Sequence, residues 1–252
     1  MSGSGGWQEV GDRVYRRRYG SLDLNVGAVV GADEVLVVDL RALTPQPCRQ
    51  VVNTHAHFDH CFGNASMRPA AIWGHERCAA HLRTRAAQER DHLLRWLPEA
   101  AGELDGLELD PPERTVGDAG AELRVGGRRV ELRFCGRGHT DHDLVVVVPD
   151  AGVVFAGDLV EEGAPPVYGT DAFPLEWPAA LDRLLTLAPP TVVPGHGDVV
   201  GHRFVAGQRE ELAAMATLCR RVAGGELPAE AAARAAPFPG ETARQALALA
   251  SS

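Results

Sequence analysis

The 252 residues, 45% hydrophobic and 23% charged, have the make-up of a soluble globular chain that can bury a substantial core as one large domain or two small ones. A formal net charge of −9 argues against nonspecific attraction to nucleic-acid phosphate, and no apolar stretch reaches the length of a membrane span, so neither partner is expected. Five cysteines, odd in number and without CxxC spacing, neither suggest a disulfide framework nor form a zinc knuckle.

Met1 to Gly6 is rich in Gly and Ser and lacks the apolar run of a signal peptide, which points to the cytoplasm. Arg13 to Tyr19, Asp23 to Val30 and Glu34 to Asp39 read as successive short strands, with Gly20-Ser21 and Gly31-Ala32-Asp33 as turns. Arg16-Arg17-Arg18 reads as a solvated strand edge. Only eleven residues separate Asp39 from Val51, short for a helical crossover between parallel strands; either Leu40 to Leu43 is the remnant of such a helix or residues are missing between Asp39 and Leu40.

The densest chemistry in the chain follows. Cys48 to Asn53 carries a β-branched run, and the next residues, His55-Ala56-His57-Phe58-Asp59-His60, supply four strong ligands for a borderline-soft divalent metal on a loop leaving a buried strand. A catalytic metal needs about three protein donors and one open position. His55 and His57 converge on one ion only if the backbone turns, and Asp59 and His60 then aim at a second position. Cys61, directly after the motif, is expected to be a small buried packing residue.

Ala70 to Trp73 reads as a strand and Glu76 to Trp96 as one helix ending at Pro98. His75, His81 and His92 fall in this region and are not assigned to metal. Ala100 to Pro112 is acidic, with Gly and Pro, and reads as a loop beside the site. Glu122 to Val125, Arg128 to Cys135, Asp143 to Val148 and Val153 to Ala156 form a β-rich block. Three further candidates follow strand-like runs next to glycine: Gly138-His139, Gly157-Asp158 and Gly195-His196. His142 and Asp143 read as a locally bonded turn. Gly163 to Pro174, with Pro165, Pro166 and Tyr168, reads as a substrate-facing loop, Trp177 to Leu187 as an amphipathic helix, and Thr191 to Val193 as the strand delivering His196. Helices are expected from Arg203 to Val222, Ala229 to Ala236 and Glu241 to Ala250.

In that order of motifs, HxHxDH, then His139, Asp158 and His196, the chain resembles the metallo-β-lactamase superfamily over Val35 to about Gly201. The resemblance implies an α/β fold, a four-layer αββα sandwich making a single domain of residues 1–252, with C-terminal helices from about 203. It implies a metal-dependent hydrolase in which His55, His57 and His139 hold one zinc ion, Asp59, His60 and His196 hold a second, and Asp158 bridges them. Iron or manganese would suit the same donors. A bridging hydroxide, formed as two cations lower the pKa of water from about 15.7 toward 7, would attack an ester, thioester, lactone or amide (β-lactam-like) bond of a small-molecule substrate. Asp59 would also act catalytically by orienting that nucleophile. Asp158 stands where the cysteine-bearing β-lactamases carry sulfur, so that subgroup is disfavoured. The other reading is a mononuclear iron persulfide dioxygenase of the same fold. A binding module with degenerate sites is disfavoured because all seven ligands are kept. The oligomeric state is left open, a homodimer among the options.

Overall fold

The computed structural model describes residues 6–20, 22–39, 48–96 and 107–250, apart from the side chains of residues 92, 95 and 96. Among them, continuous apolar runs build two mixed sheets. The first joins β1 (Gln8–Gly11), β2 (Val14–Arg18), β3 (Asn25–Val30), β4 (Val35–Val38), β5 (Cys48–Val52), β6 (Ala71–His75) and β7 (Arg114–Val116) in chain order. Pairing is antiparallel up to β4 and parallel beyond it. The second joins β8 (Ala121–Val125), β9 (Arg128–Phe134), β10 (Leu144–Val148) and β11 (Val153–Glu161) antiparallel, with β12 (Thr191–His196) parallel to β11 at the edge.

The two-residue period of a strand explains why these runs are apolar on both faces. Leu36 and Val38 of β4 face Leu144, Val146 and Val148 of β10 in the core between the sheets, whereas Val35 and Val37 belong to the outer face of the first sheet. Val145 and Val147 turn the other way, under the C-terminal helices. The result is an αββα sandwich. Helices α1 (Phe58–Cys61), α2 (Glu76–Thr84) and α3 (Ala86–Trp96) follow β5 and β6, α2 touching β6 and β7. Helices α4 (Trp177–Thr186), α5 (His202–Ala223), α6 (Ala229–Ala235) and α7 (Gly240–Leu249) cover the second sheet through Trp177, Leu181, Leu212 and Met215. Among the described residues no helix is long and apolar enough to cross a membrane.

Several sequence expectations are corrected. The strand Gln8–Gly11 has no counterpart in the sequence reading, and because it pairs with β2 the arginine run is not a solvated edge: Arg16 is only 8% exposed. The long helix is two, broken at Arg85 (φ −125°), with the hydrogen bond between His81 Nε2 and Glu89 Oε1 at 2.5 Å spanning the break. Strand β11 runs five residues past Ala156 to Glu161, its pairing with β12 shifting register on both sides of Gly157. Leu40 to Leu43, Pro98 and the first part of the acidic loop, residues 100–106, lie outside the described residues. The parallel pairing of β4 with β5 is made all the same across residues 39–47.

Candidate metal centre

The sandwich brings the seven expected side chains together at one end of the two sheets. His55 and His57 lie on the turn leaving β5, Asp59 and His60 on α1, His139 beyond β9, Asp158 within β11 and His196 at the end of β12. The sheets are tied together there: the Leu144 amide donates to the Thr54 carbonyl at 2.8 Å, and Leu24 bridges to His196. Two donor groups result, His55, His57, His139 and Asp158 in one and Asp59, His60 and His196 in the other, the ligand atoms of each within 4.8 Å of one another. Asp158 reaches both. Its Oδ1 is 3.2 Å from His60 Nε2, and its Oδ2 is 3.5 Å from His139 Nε2 and 3.3 Å from His196 Nε2.

Every imidazole is held by its far nitrogen. His60 Nδ1 faces Asp39 Oδ2 at 3.0 Å, His57 Nε2 faces Asp171 Oδ2 at 3.3 Å, His139 Nδ1 faces the Val167 carbonyl at 3.2 Å, and His196 Nδ1 faces the Leu22 carbonyl at 2.6 Å. Thr54 Oγ1 donates to Asp39 Oδ2 at 2.8 Å and so accepts from His55 Nδ1 at 3.1 Å. In the neutral ring the proton is fixed on the outer nitrogen and the inner one carries the lone pair, the arrangement a metal-binding histidine needs.

Two buried atoms point the same way. His55 Nε2 and Asp158 Oδ1 are sealed from solvent without a hydrogen-bond partner, which is costly unless a cation takes them. The donor set therefore fits divalent metal. Imidazole and carboxylate suit zinc and iron alike, and no thiolate takes part: Cys61 is buried and donates to the Ala56 and His57 carbonyls, as expected for a packing residue.

Charge in the cluster is organised around Asp158. Burial works against its ionisation, but His60, His196 and His55 outweigh it and hold its pKa well below the carboxylate range. Burial likewise opposes charge on His196, and Asp158 overcomes it, carrying the pKa up to about 9. His139 is pushed down to about 3 by burial and His57. Glu161, buried three residues beyond Asp158 in β11, is raised to about 8 by burial and the Asp158 charge, and its Oε1 accepts from the Val167 amide at 3.0 Å.

Glycine makes the close approach possible. A Cβ on Gly195 would sit 1.8 Å from Asp158 Oδ1, and one on Gly157 (φ +54°) 2.6 Å from Thr54 Oγ1. The His196 turn is further anchored by Asn25, whose Nδ2 donates to the Pro194 and Gly197 carbonyls, and by Arg16, which bonds Asn25 Oδ1 and the Gly197 carbonyl.

Asp39, Thr54, Asp171 and Asn25 were not singled out by the sequence. Asp39 was signalled, as an acid closing the apolar strand Val35 to Val38; for the others only Asp171 carried a hint, lying in the loop read as substrate-facing. That loop does line the cleft through Gly169, Thr170, Asp171 and Phe173, while Tyr168 turns inward onto Trp177. Asp143 makes the expected local turn, accepting from the Thr140 amide and hydroxyl; His142 does more, its Nε2 accepting from the Ala56 amide inside the motif. His75 and His81 pair with Asp118 and Glu89 and join neither donor group, and the His92 side chain lies outside the described residues.

Residues 25–196, more than half of the chain, match the family model of the metallo-beta-lactamase superfamily. The chain is 27% identical over 154 residues to the type 2 metallo-β-lactamase of Bacillus cereus, covering 59% of this chain and 52% of that protein. It is 29% identical over 101 residues to the type 2 enzyme of Bacteroides fragilis, covering 38% and 40%. The chain thus spans about half or less of the length of these curated relatives. Among solved structures, the metallo-β-lactamase from Pontibacter korlensis shares the fold with a TM-score of 0.63 at 20% identity, over 82% of this chain and 98% of that one.

Proposed function

The chain belongs to the metallo-β-lactamase superfamily, and from that premise we propose that it is a metal-dependent hydrolase of a small-molecule ester, thioester, lactone or amide. Its two donor groups would take two zinc ions, His55, His57 and His139 holding one, Asp59, His60 and His196 the other, with Asp158 shared. When bound, such cations ionise water near neutral pH and polarise the carbonyl to be cleaved.

The chain's own residues do the rest. Asp59 Oδ2 lies 3.4 Å from His196 Nε2 and 3.6 Å from His60 Nε2, so its carboxylate can both ligate and orient the attacking water by accepting a hydrogen bond from it. Asp39 and Asp171 hold His60 and His57 in register with that water, and the cavity beside His57 leaves room for the substrate next to the donor groups. The observation that carries the reading is the pair of sealed, unpartnered donors, His55 Nε2 and Asp158 Oδ1.

Protein purified without added metal is expected to hold about two zinc ions per chain and to hydrolyse members of a panel of esters, thioesters, lactones and lactams. Asp59→Ala should lower turnover about a hundredfold or more while the circular dichroism spectrum is unchanged. One iron per chain with thiol-dependent oxygen uptake would replace the hydrolase by a persulfide dioxygenase.

A further inference from the structure

A cavity of about 840 Å³ opens beside His57 and Asp171, and Phe58, Leu93 and Phe173 supply its apolar surface. Three of its acids already have partners within the fold. Glu89 Oε1 meets His81 Nε2 at 2.5 Å, Asp141 Oδ1 meets His142 Nδ1 at 2.6 Å, and Asp171 Oδ2 meets His57 Nε2 at 3.3 Å. The cavity's one arginine, Arg85, stands at the elbow between α2 and α3, exposed, and among the described residues its guanidinium makes neither ion pair nor hydrogen bond. Arg85 is therefore the one cationic side chain of the lining without a partner of its own, and it lies beside phenyl and leucyl surface.

We propose that Arg85 is a specificity-determining residue, recognising a carboxylate at the end of an apolar chain whose scissile carbonyl lies at the metal centre. A guanidinium presents paired N–H donors in the geometry of a carboxylate, which an ammonium does not. The chain's net charge of −9 gives an anion no long-range attraction, so the preference must be local. Cleavage of the bound molecule rests on the hydrolase reading; the recognition of an anion does not.

Calorimetric titration of the zinc-loaded full chain with 4-phenylbutyrate and with 4-phenylbutanol separates charge from apolar contact. Arg85→Ala is expected to weaken phenylbutyrate about fivefold, the scale of an exposed charge pair, and to leave phenylbutanol unchanged, with Arg85→Lys between wild type and Ala. Equal affinities of wild type and R85A for phenylbutyrate, or equal losses for both ligands, would overturn the proposal. In parallel, two aryl thioesters differing only in a terminal carboxylate or methyl group should show a KM rise in R85A for the charged one alone, with kcat unchanged. Binding that depends on Arg85 without hydrolysis of either thioester removes the hydrolase and keeps the anion site; hydrolysis of both with no dependence on Arg85 does the reverse.

Discussion

Asp39 and His60 meet through a single carboxylate oxygen, Oδ2 to Nδ1 at 3.0 Å, and the same oxygen accepts from Thr54 Oγ1 at 2.8 Å, which in turn receives His55 Nδ1. One buried anion, 2% exposed and in the left-handed region (φ 56°), thus orients a histidine of each donor group. Asp39→Asn keeps the shape and removes the charge. It is expected to lower zinc affinity about tenfold to a hundredfold, the usual effect of losing a partner behind a ligating imidazole. Competition with a chromophoric chelator measures it, and an affinity equal to wild type would free Asp39 of this role.

Gly195 and Asp158 are related by simple exclusion. A methyl group at 195 would fall 1.8 Å from Asp158 Oδ1 and 3.0 Å from the Gly157 carbonyl carbon, so either β12 or the carboxylate must move. Because Asp158 reaches both donor groups, Gly195→Ala is expected to lose at least half of the bound metal. Gly207→Ala is the control. That glycine is exposed in α5 with nothing within 4 Å of the added carbon, and alanine there should stabilise by up to about 1 kcal/mol. Metal content of the two variants after gel filtration decides the matter.

The ligands were legible in the sequence and most of their partners were not, for a physical reason. His55 to His60 form a local pattern whose spacing announces its chemistry, and His139, Asp158 and His196 each follow an apolar run beside glycine. Their partners come from far along the chain: Asp171 is 114 residues from His57, and Asn25 is 169 residues from the Pro194 carbonyl it holds. Such contacts are fixed by the packing of two sheets, which no periodicity encodes. The layers were legible because strands buried on both faces read as unbroken apolar runs. The break at Arg85 was hidden since Ala, Arg and Glu favour helix on both sides of it, and the arginine run misled because an arginine inside a sheet end looks, in sequence, like one at an edge.

Trp177 links fold stability to the site. It is fully buried, its Nε1 donates to the Leu159 carbonyl at 3.1 Å, and its ring lies 5.6 Å from that of His139 and 5.3 Å from that of Tyr168. Trp177→Phe leaves the Leu159 carbonyl without its donor and part of the pocket empty. A loss of about 2–3 kcal/mol is expected, lowering Tm by roughly 5–10 °C for a chain of this size. Thermal unfolding with metal bound and after chelation gives the comparison; an unchanged Tm in both would show that neither the hydrogen bond nor the volume matters.

Metal uptake should expel protons, with a sign set by the imidazoles. A ligand nitrogen must be unprotonated to bind. In the metal-free protein His196 holds its proton up to about pH 9, and His60 is raised well above its ordinary value: burial opposes the charge in both, and Asp158 with Asp59 prevails. His139 and His55 lie below their ordinary values, chiefly through burial, and have no proton to give at neutral pH. Since the metal-free state binds the extra protons, affinity must rise with pH through the range in which His57, His60 and His196 lose them. Loading both donor groups at pH 7.5 should release at least about two protons per chain. Zinc titrations in buffers of different ionisation enthalpy count them, and a release near zero at pH 7.5 would mean that His60 and His196 stand neutral before the metal arrives.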